Sequence, residues 1–277
     1  MINSPVRYQG SKRKIIDRIQ QLLPTDVKRS VDVFGGSGVV CANLFTPVKV
    51  FNEISPEVSD IIHWLATTEP KDSVRQIIRL INKWKLDREN QDQFLKFRAD
   101  AQARPTPVKH FVLHRFAHSN LLRFNRKGQY NANFGFRAVD IDLLKKEVRD
   151  FHQAMGGTTF HQMDYVQLMK ALTPILDSDT FLYFDPPYLA SGSMQYSNKW
   201  SKEDEHRLLK VLDVLDGYGC KWMLSNVLSH RQFTNEILRE WVNERGHNIE
   251  HLDIHYKFAH IIGDVHNGTD EVIITNY

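Results

Sequence analysis

Thr180-Phe181-Leu182-Tyr183-Phe184-Asp185-Pro186-Pro187-Tyr188 is the stretch on which the reading of this chain turns. Five apolar or aromatic residues in a row read as a strand buried on both faces, as in a parallel sheet. Two prolines cannot continue a strand or sit deep in a helix, so the backbone leaves the sheet rigidly at Asp185. A carboxylate, a row of proline carbonyls and an aromatic ring are thereby held in one small volume. Acceptors that grip an amine beside a ring that stacks suit a planar base carrying an amino group. Pro-Pro turns after strands are common, but this tetrapeptide arises by chance in roughly one chain of this length per thousand.

Outward from that strand the α/β rhythm is regular. Gly10-Ser11-Lys12 leads into an amphipathic helix with Ile15, Ile16, Ile19, Leu22 and Leu23 at helical spacing, stopped by Pro24. Ser30-Val31-Asp32-Val33-Phe34 reads as a short buried strand, and Val39 to Leu44 as a helix of small residues. Val48-Lys49-Val50-Phe51-Asn52 reads as a second strand. Residues 55–122 read as helical, with breaks at Pro70, near Arg88 to Asn90, and at Arg104-Pro105-Thr106-Pro107. Residues 125–135 are polar, contain glycine and have hairpin character. Further along come helices over 142–155 and 230–242 and one capped by Ser201, with Asp204 as capping-box partner. Strands are expected over 158–161, 180–184, 220–225, 249–254 and 271–275. The fold class is α/β: one Rossmann-like, parallel-rich sheet domain formed by 1–53 and 140–277, interrupted by a helical insertion over 54–139.

A chain of 277 residues with 42% hydrophobic and 25% charged residues has the composition of a soluble globular protein. Cys41 and Cys220 make neither a disulfide framework nor a metal cluster, and a reducing cytoplasm is expected. Of thirteen histidines, His110, His114 and His118 form a close set, but no acidic partner lies beside them, so no metal is expected. Residues 1–8 are polar and no apolar run approaches membrane-spanning length, so neither a leader nor a membrane span is expected. The charge is uneven. Arg104, Lys109, Arg115, Arg123, Arg126, Lys127 and Arg137 fall in one segment without Asp or Glu. That segment carries +7 against the chain's +3, so the remainder sums to −4. Phe111, Phe116, Phe124, Tyr130, Phe134 and Phe136 are interleaved with the cations, a mixture suited to phosphates and bases.

Phe34-Gly35-Gly36-Ser37-Gly38 lies at a strand end, where a nucleotide-like cofactor can approach bare backbone. Cys41 stands where the dinucleotide fingerprint wants a third glycine or alanine, and no phosphate-loop lysine is present. Glu53, ending the second strand, can accept from two ribose hydroxyls. A cofactor with a ribose and no phosphate needs that arrangement, and S-adenosylmethionine is one. Asp164 can accept from an adenine amino group or cap the following helix, and the two roles are compatible.

Together these residues resemble the Dam-type, site-specific DNA adenine methyltransferases, and the phage-like members in particular. The resemblance rests on Tyr8-Gln9-Gly10-Ser11-Lys12, the glycine loop from Phe34 to Gly38, the basic insertion and Asp185-Pro186-Pro187-Tyr188, in that order. It extends to Ser119-Asn120-Leu121-Leu122-Arg123-Phe124-Asn125, Phe134-Gly135-Phe136-Arg137, Leu224-Ser225-Asn226 and Asn267-Gly268-Thr269-Asp270-Glu271. It implies that Tyr8, Lys12, Phe34, Gly36, Gly38, Glu53, Asp164 and Asp185 meet the cofactor, Lys12 near its methionine carboxylate or the catalytic turn. It also implies that Ser119, Arg123, Asn125 and Arg137 read or position a GATC-type site in double-stranded DNA. Most of the family has Asp where Glu53 stands, and many members have proline at Asn133. His118 and Leu121 replace aromatic and larger apolar residues. Monomeric action or a DNA-bound dimer, and a restriction-modification setting, are both compatible with the resemblance.

The expected chemistry needs no metal. Asp185 and the Pro186 carbonyl accept the two N–H bonds of the exocyclic amine, which localises its lone pair and stabilises the charge that builds on nitrogen. Adenine inside a duplex is out of reach, so it is extruded and stacks on Tyr188, with Pro187 completing the rigid turn. Arg137 or Arg123 bidentate to a guanine edge would discriminate by about 1–3 kcal/mol. Lys109, Arg126 and Lys127 are expected at phosphates. Methylation at cytosine carbon is excluded, because neither cysteine follows a proline as that nucleophile typically does. Amino-cytosine methylation, and an inactive DNA-binding protein on the same fold, remain as alternatives.

Overall fold

β4, Thr180–Phe184, is buried at all five positions, as its unbroken apolar run demands. It lies in a computed structural model that describes residues 1–8, 10–125, 127–190, 200–252 and 268–277. Gln9, Arg126, Asn267 and positions 253–254 of the expected strand lie outside the described residues. The α/β class expected from the sequence is the one observed, with a mostly parallel sheet. The chain divides into two compact units, one of residues 1–23, 35–45 and 49–163, the other of 24–34, 46–48 and 164–277.

In the second unit, β1 (Arg29–Asp32), β4 and β5 (Lys221–His230) run parallel, with Ser30 opposite Phe181 and Leu182 opposite Trp222. β8 (Thr269–Thr275) is antiparallel to β5 and to β7 (Asn248–Leu252). A two-residue strand, β6 (Phe233–Thr234), pairs with the end of β5. α7 (Tyr165–Leu172), α8 (Lys202–Gly217) and α9 (Glu236–Arg245) complete this unit. Ser201 and Asp204 form the capping box expected at the start of α8.

In the first unit β2 (Val48–Asn52) pairs in parallel with β3 (Thr159–His161). Its helices are α1 (Ile16–Leu22), α2 (Pro56–Thr67), α3 (Pro70–Trp84), α4 (Gln91–Ala103), α5 (Pro107–Phe116) and α6 (Ile141–Met155). Pro56, Pro70 and Pro107 open helices where the missing N–H costs nothing. Side chains of Asn90, Thr106 and Asp140 cap α4, α5 and α6. Phe51, Phe94, Phe97, Phe111 and Phe151 are fully buried in one core.

Two expected helices differ. The helix expected over 39–44 is only a 3-10 turn, Cys41–Asn43. The Asn43 side-chain amide donates to the carbonyls of Val39 and Ile2, so the side chain takes the carbonyl a fourth-residue backbone N–H would need. The helix expected to begin at His230 begins at Glu236, because β5 runs through His230 and the Asn235 side chain caps α9 at the Leu238 N–H.

Candidate nucleotide and DNA sites

The glycine loop is fixed by its backbone. The Gly35 N–H donates to the Asn52 carbonyl at 2.8 Å, and a Cβ at Gly35 would lie 2.1 Å from the Phe51 ring. Only glycine fits there. Gly36 and Gly38 take positive φ of 49° and 71°, and the Gly38 N–H closes a turn on the Gly35 carbonyl. Glu53 sits beneath this loop, 7% exposed. Its Oε2 accepts from the Gly36 N–H and its Oε1 from the Ser55 N–H, each at 2.8 Å. Burial raises its carboxyl above the ordinary range, and backbone N–H bonds offset only part of the shift. The backbone N–H of Ile54 is a third donor to it, and since a carboxylate has about four acceptor sites, Glu53 keeps capacity for a ribose hydroxyl. Asn52 pairs both ways with the backbone of Met163 at 3.1 Å, which ties down the chain just before Asp164. Lys12 is buried and donates to the Gly10 carbonyl at 2.9 Å, while Tyr8 packs partly buried against the core of its unit.

In the second unit Phe34 joins an aromatic group with Tyr165 (5.3 Å), Trp200 (6.2 Å) and Phe184 (6.4 Å). Asp164 is a helix cap: its Oδ1 accepts from the Val166 N–H, and Arg207 lies 3.6 Å from its Oδ2. Arg207 also covers the Tyr165 ring, 5.0 Å from the centroid. At the end of β4, Tyr188 donates its hydroxyl to Asp185 Oδ1 at 2.8 Å. Burial, and next the charge of Asp185, push the Tyr188 phenol well above its ordinary value, so it stays neutral and remains a donor. The turn through Pro186 and Pro187 therefore presents a carboxylate oriented by its own ring neighbour.

Sequence reasoning missed the buried network of Glu205. Glu205 accepts from Trp200 Nε1 at 2.6 Å, Asn235 Nδ2 at 2.7 Å and Asn226 Nδ2 at 3.5 Å, and burial raises its carboxyl. The spacing of Glu205 with Leu208, Leu209 and Leu212 puts it on the apolar face of α8, a signal its acidic neighbours Glu203 and Asp204 hide. Also missed was Glu147, which holds Arg7 at 2.6 Å and Arg115 at 3.4 Å.

The expected DNA-facing residues lie in the first unit on a hairpin-like excursion after α5, bridged at Ala117/Phe134 and Phe124/Tyr130. Arg123 is half-buried and donates to the side-chain and backbone oxygens of Asn131, which stitches the hairpin. Asn125 Oδ1 accepts from the N–H groups of Lys127 and Gln129, so it shapes the loop. Ser119 is exposed at a φ of 55°. Asn133, Lys127 and Arg137 are exposed. The basic run is less open than its sequence suggests. Lys109, expected at a phosphate, instead pairs with Asp100 at 2.9 Å and donates to the Arg104 carbonyl, Arg104 pairs with Asp100, and Arg115 is buried against Glu147. Nor do the histidines assemble: His114 accepts from the Arg7 N–H, and His110 packs edge-on to Phe124.

Comparison with known proteins adds to this geometry. Residues 8–257 match the family described as D12 class N6 adenine-specific DNA methyltransferase. The chain is 30% identical over its whole length to modification methylase StsI of Streptococcus sanguinis and to type II methyltransferase M.FokI of Planomicrobium okeanokoites. Over 99% of its length it is 30% identical to modification methylase LlaI of Lactococcus lactis subsp. lactis. It spans 43% of the length of each of these three relatives.

Proposed function

Because this chain belongs to the D12 class N6 adenine-specific DNA methyltransferase family, we propose that it transfers a methyl group from S-adenosylmethionine to the exocyclic amine of adenine in double-stranded DNA. The observation that carries this reading is the Tyr188–Asp185 hydrogen bond on the Asp-Pro-Pro-Tyr turn. A neutral phenol fixes a carboxylate whose remaining lone pairs can accept an amine N–H. The Pro186 carbonyl accepts the second N–H, so the nitrogen lone pair is freed from the ring toward its acceptor. Fixed acceptors then stabilise the developing positive charge without reorganising, and Asp185 relays the proton toward solvent. The ring of Tyr188 stacks on the extruded base.

Bound S-adenosylmethionine supplies an electrophilic methyl group. Glu53 fits its ribose hydroxyls, bare backbone at Gly36 and Gly38 admits it, and Tyr8, Lys12, Phe34 and Asp164 are its other contacts in this reading. Residues 54–139 act as the target-recognition insertion, with Ser119, Arg123, Asn125, Arg126, Lys127, Asn133 and Arg137 at the DNA. The site is a short one, with GATC the first candidate, and the His118, Leu121 and Asn133 departures leave room for a related sequence. The enzyme works where DNA is, in the cytoplasm.

Transfer of labelled methyl from S-adenosylmethionine to a plasmid, followed by mapping of modified bases, tests the reading. Methyladenine at GATC supports cofactor, class and site together. Methyladenine in another motif keeps the enzyme and moves the site. No incorporation, with cofactor still bound, overturns the DNA substrate.

A further inference from the structure

Phe136 carries two penalties. It is 65% exposed, and its backbone stands at a φ of +51°, a region bulky residues avoid. Its position is nonetheless closely defined. The ring meets Phe134 edge-to-face at 4.7 Å, and Phe134, 6% exposed, meets the fully buried Phe94 at 5.3 Å. The preceding residue is pinned as well. The Gly135 N–H donates to the Phe116 carbonyl at 2.9 Å, and a Cβ there would lie 2.3 Å from the Ala117 carbonyl oxygen. A stair of three phenylalanines thus runs from the core of the first unit to solvent and ends on a ring held in place. Phe45 and Phe233 are also exposed, yet neither has a positive φ or an aromatic contact among the described residues.

The surroundings say what the ring meets. Residues 104–137 contain no Asp or Glu, and the exposed cations Lys127 and Arg137 have no ion-pair partner among the described residues. An oriented aromatic face next to the exposed guanidinium-bearing Arg137 suits a base flanked by phosphates, since every base offers a π face. We infer that Phe136 is a base-stacking residue, placing its ring against a base of the bound DNA. The inference rests on the proposed DNA methylation and adds a contact that needs neither a hydrogen bond nor a charge.

The test uses the full chain and a duplex containing the mapped target, comparing Phe136→Gly, Phe136→Leu and Phe136→Trp with the parent. Glycine removes the ring and relieves the positive φ, so folding and binding should move in opposite directions. Phe136→Gly is expected to keep or raise its melting temperature while losing about 5- to 150-fold in duplex affinity, equivalent to about 1–3 kcal/mol. Phe136→Trp should restore affinity, Phe136→Leu should not, and the dependence on salt should keep its slope because no cation is removed. Phe136→Gly binding within about twofold of the parent, or Phe136→Leu binding like the parent, overturns the stacking role. A lowered melting temperature in Phe136→Gly overturns it too, by making Phe136 a packing residue. A parent chain that methylates no DNA overturns the underlying function instead, so the two failures are distinguishable.

Discussion

Asp185 and Tyr188 act as a pair in which the carboxylate accepts and the phenol aims it from 2.8 Å. Removing each partner separates these roles. Asp185→Ala should abolish methyl transfer while leaving duplex binding near the parent value, measured by single-turnover kinetics and a binding titration. Tyr188→Phe keeps the stacking ring and loses a hydrogen bond to a charged group, worth about 1.5–3 kcal/mol. Its turnover should therefore fall roughly 10- to 150-fold with little change in DNA affinity. Near-normal turnover by Asp185→Ala would sink the mechanism. Glu53 serves the fold with both oxygens, each accepting a backbone N–H, and under the proposed function it also meets a ribose hydroxyl.

At the scale of elements, α8 is anchored through a carboxylate held by three neutral donors. Trp200, Asn226 and Asn235 all donate to Glu205, which joins the approach to α8, the upper part of β5 and the cap of α9. Because all three partners are donors, an amide cannot replace the carboxylate: one of its own N–H bonds would face another donor. Glu205→Gln should destabilise by about 1–3 kcal/mol. Thermal denaturation should show a fall of about 2–4 °C for each kcal/mol, and an unchanged melting temperature would refute the network's role. The hairpin after α5 follows the same logic on the other unit. Arg123 and Asn125, which sequence reasoning assigned to DNA, use their hydrogen bonds to shape the hairpin that presents Phe136 and Arg137.

For the whole molecule, pH is the global variable the structure speaks to most directly. His114 is fully buried, and burial, followed by the neighbouring Arg115, lowers its pKa to about 3. It stays neutral in the folded protein, while in the unfolded chain it takes a proton near its ordinary value of 6.5. The unfolded state therefore binds more protons in that window, and stability falls as pH falls from about 6.5 toward 3. The slope from this one group approaches about 1.4 kcal/mol per pH unit. Chemical denaturation between about pH 7 and 5 should show it, and His114→Asn should flatten the slope. An identical slope in that variant would assign the acid sensitivity elsewhere.

The order of elements was legible in the chain because the signals are local. Pro56, Pro70 and Pro107 mark helix starts, the Ser201 box marks α8, and the unbroken apolar run marks β4. The motifs were legible for the same reason: Asp185 through Tyr188 is contiguous, and Gly36 and Gly38 declare a positive φ by their type. Misreadings came where a distant partner decides. The helix expected over 39–44 failed because the Asn43 amide bonds Ile2 as well as Val39, and the helix expected from His230 failed because β8 extends β5 past Ser229. Lys109 and Arg115 looked like surface charge until Asp100 and Glu147, far enough away in sequence to be invisible to a local pattern, neutralised them. The sequence by itself determined the α/β rhythm, the Asp-Pro-Pro-Tyr tetrapeptide and the likeness to a methyltransferase family, since each is written in neighbouring residues. Which charges remain exposed and which carboxylates are buried was decided only by tertiary structure, because burial and ion pairing depend on groups that folding brings together.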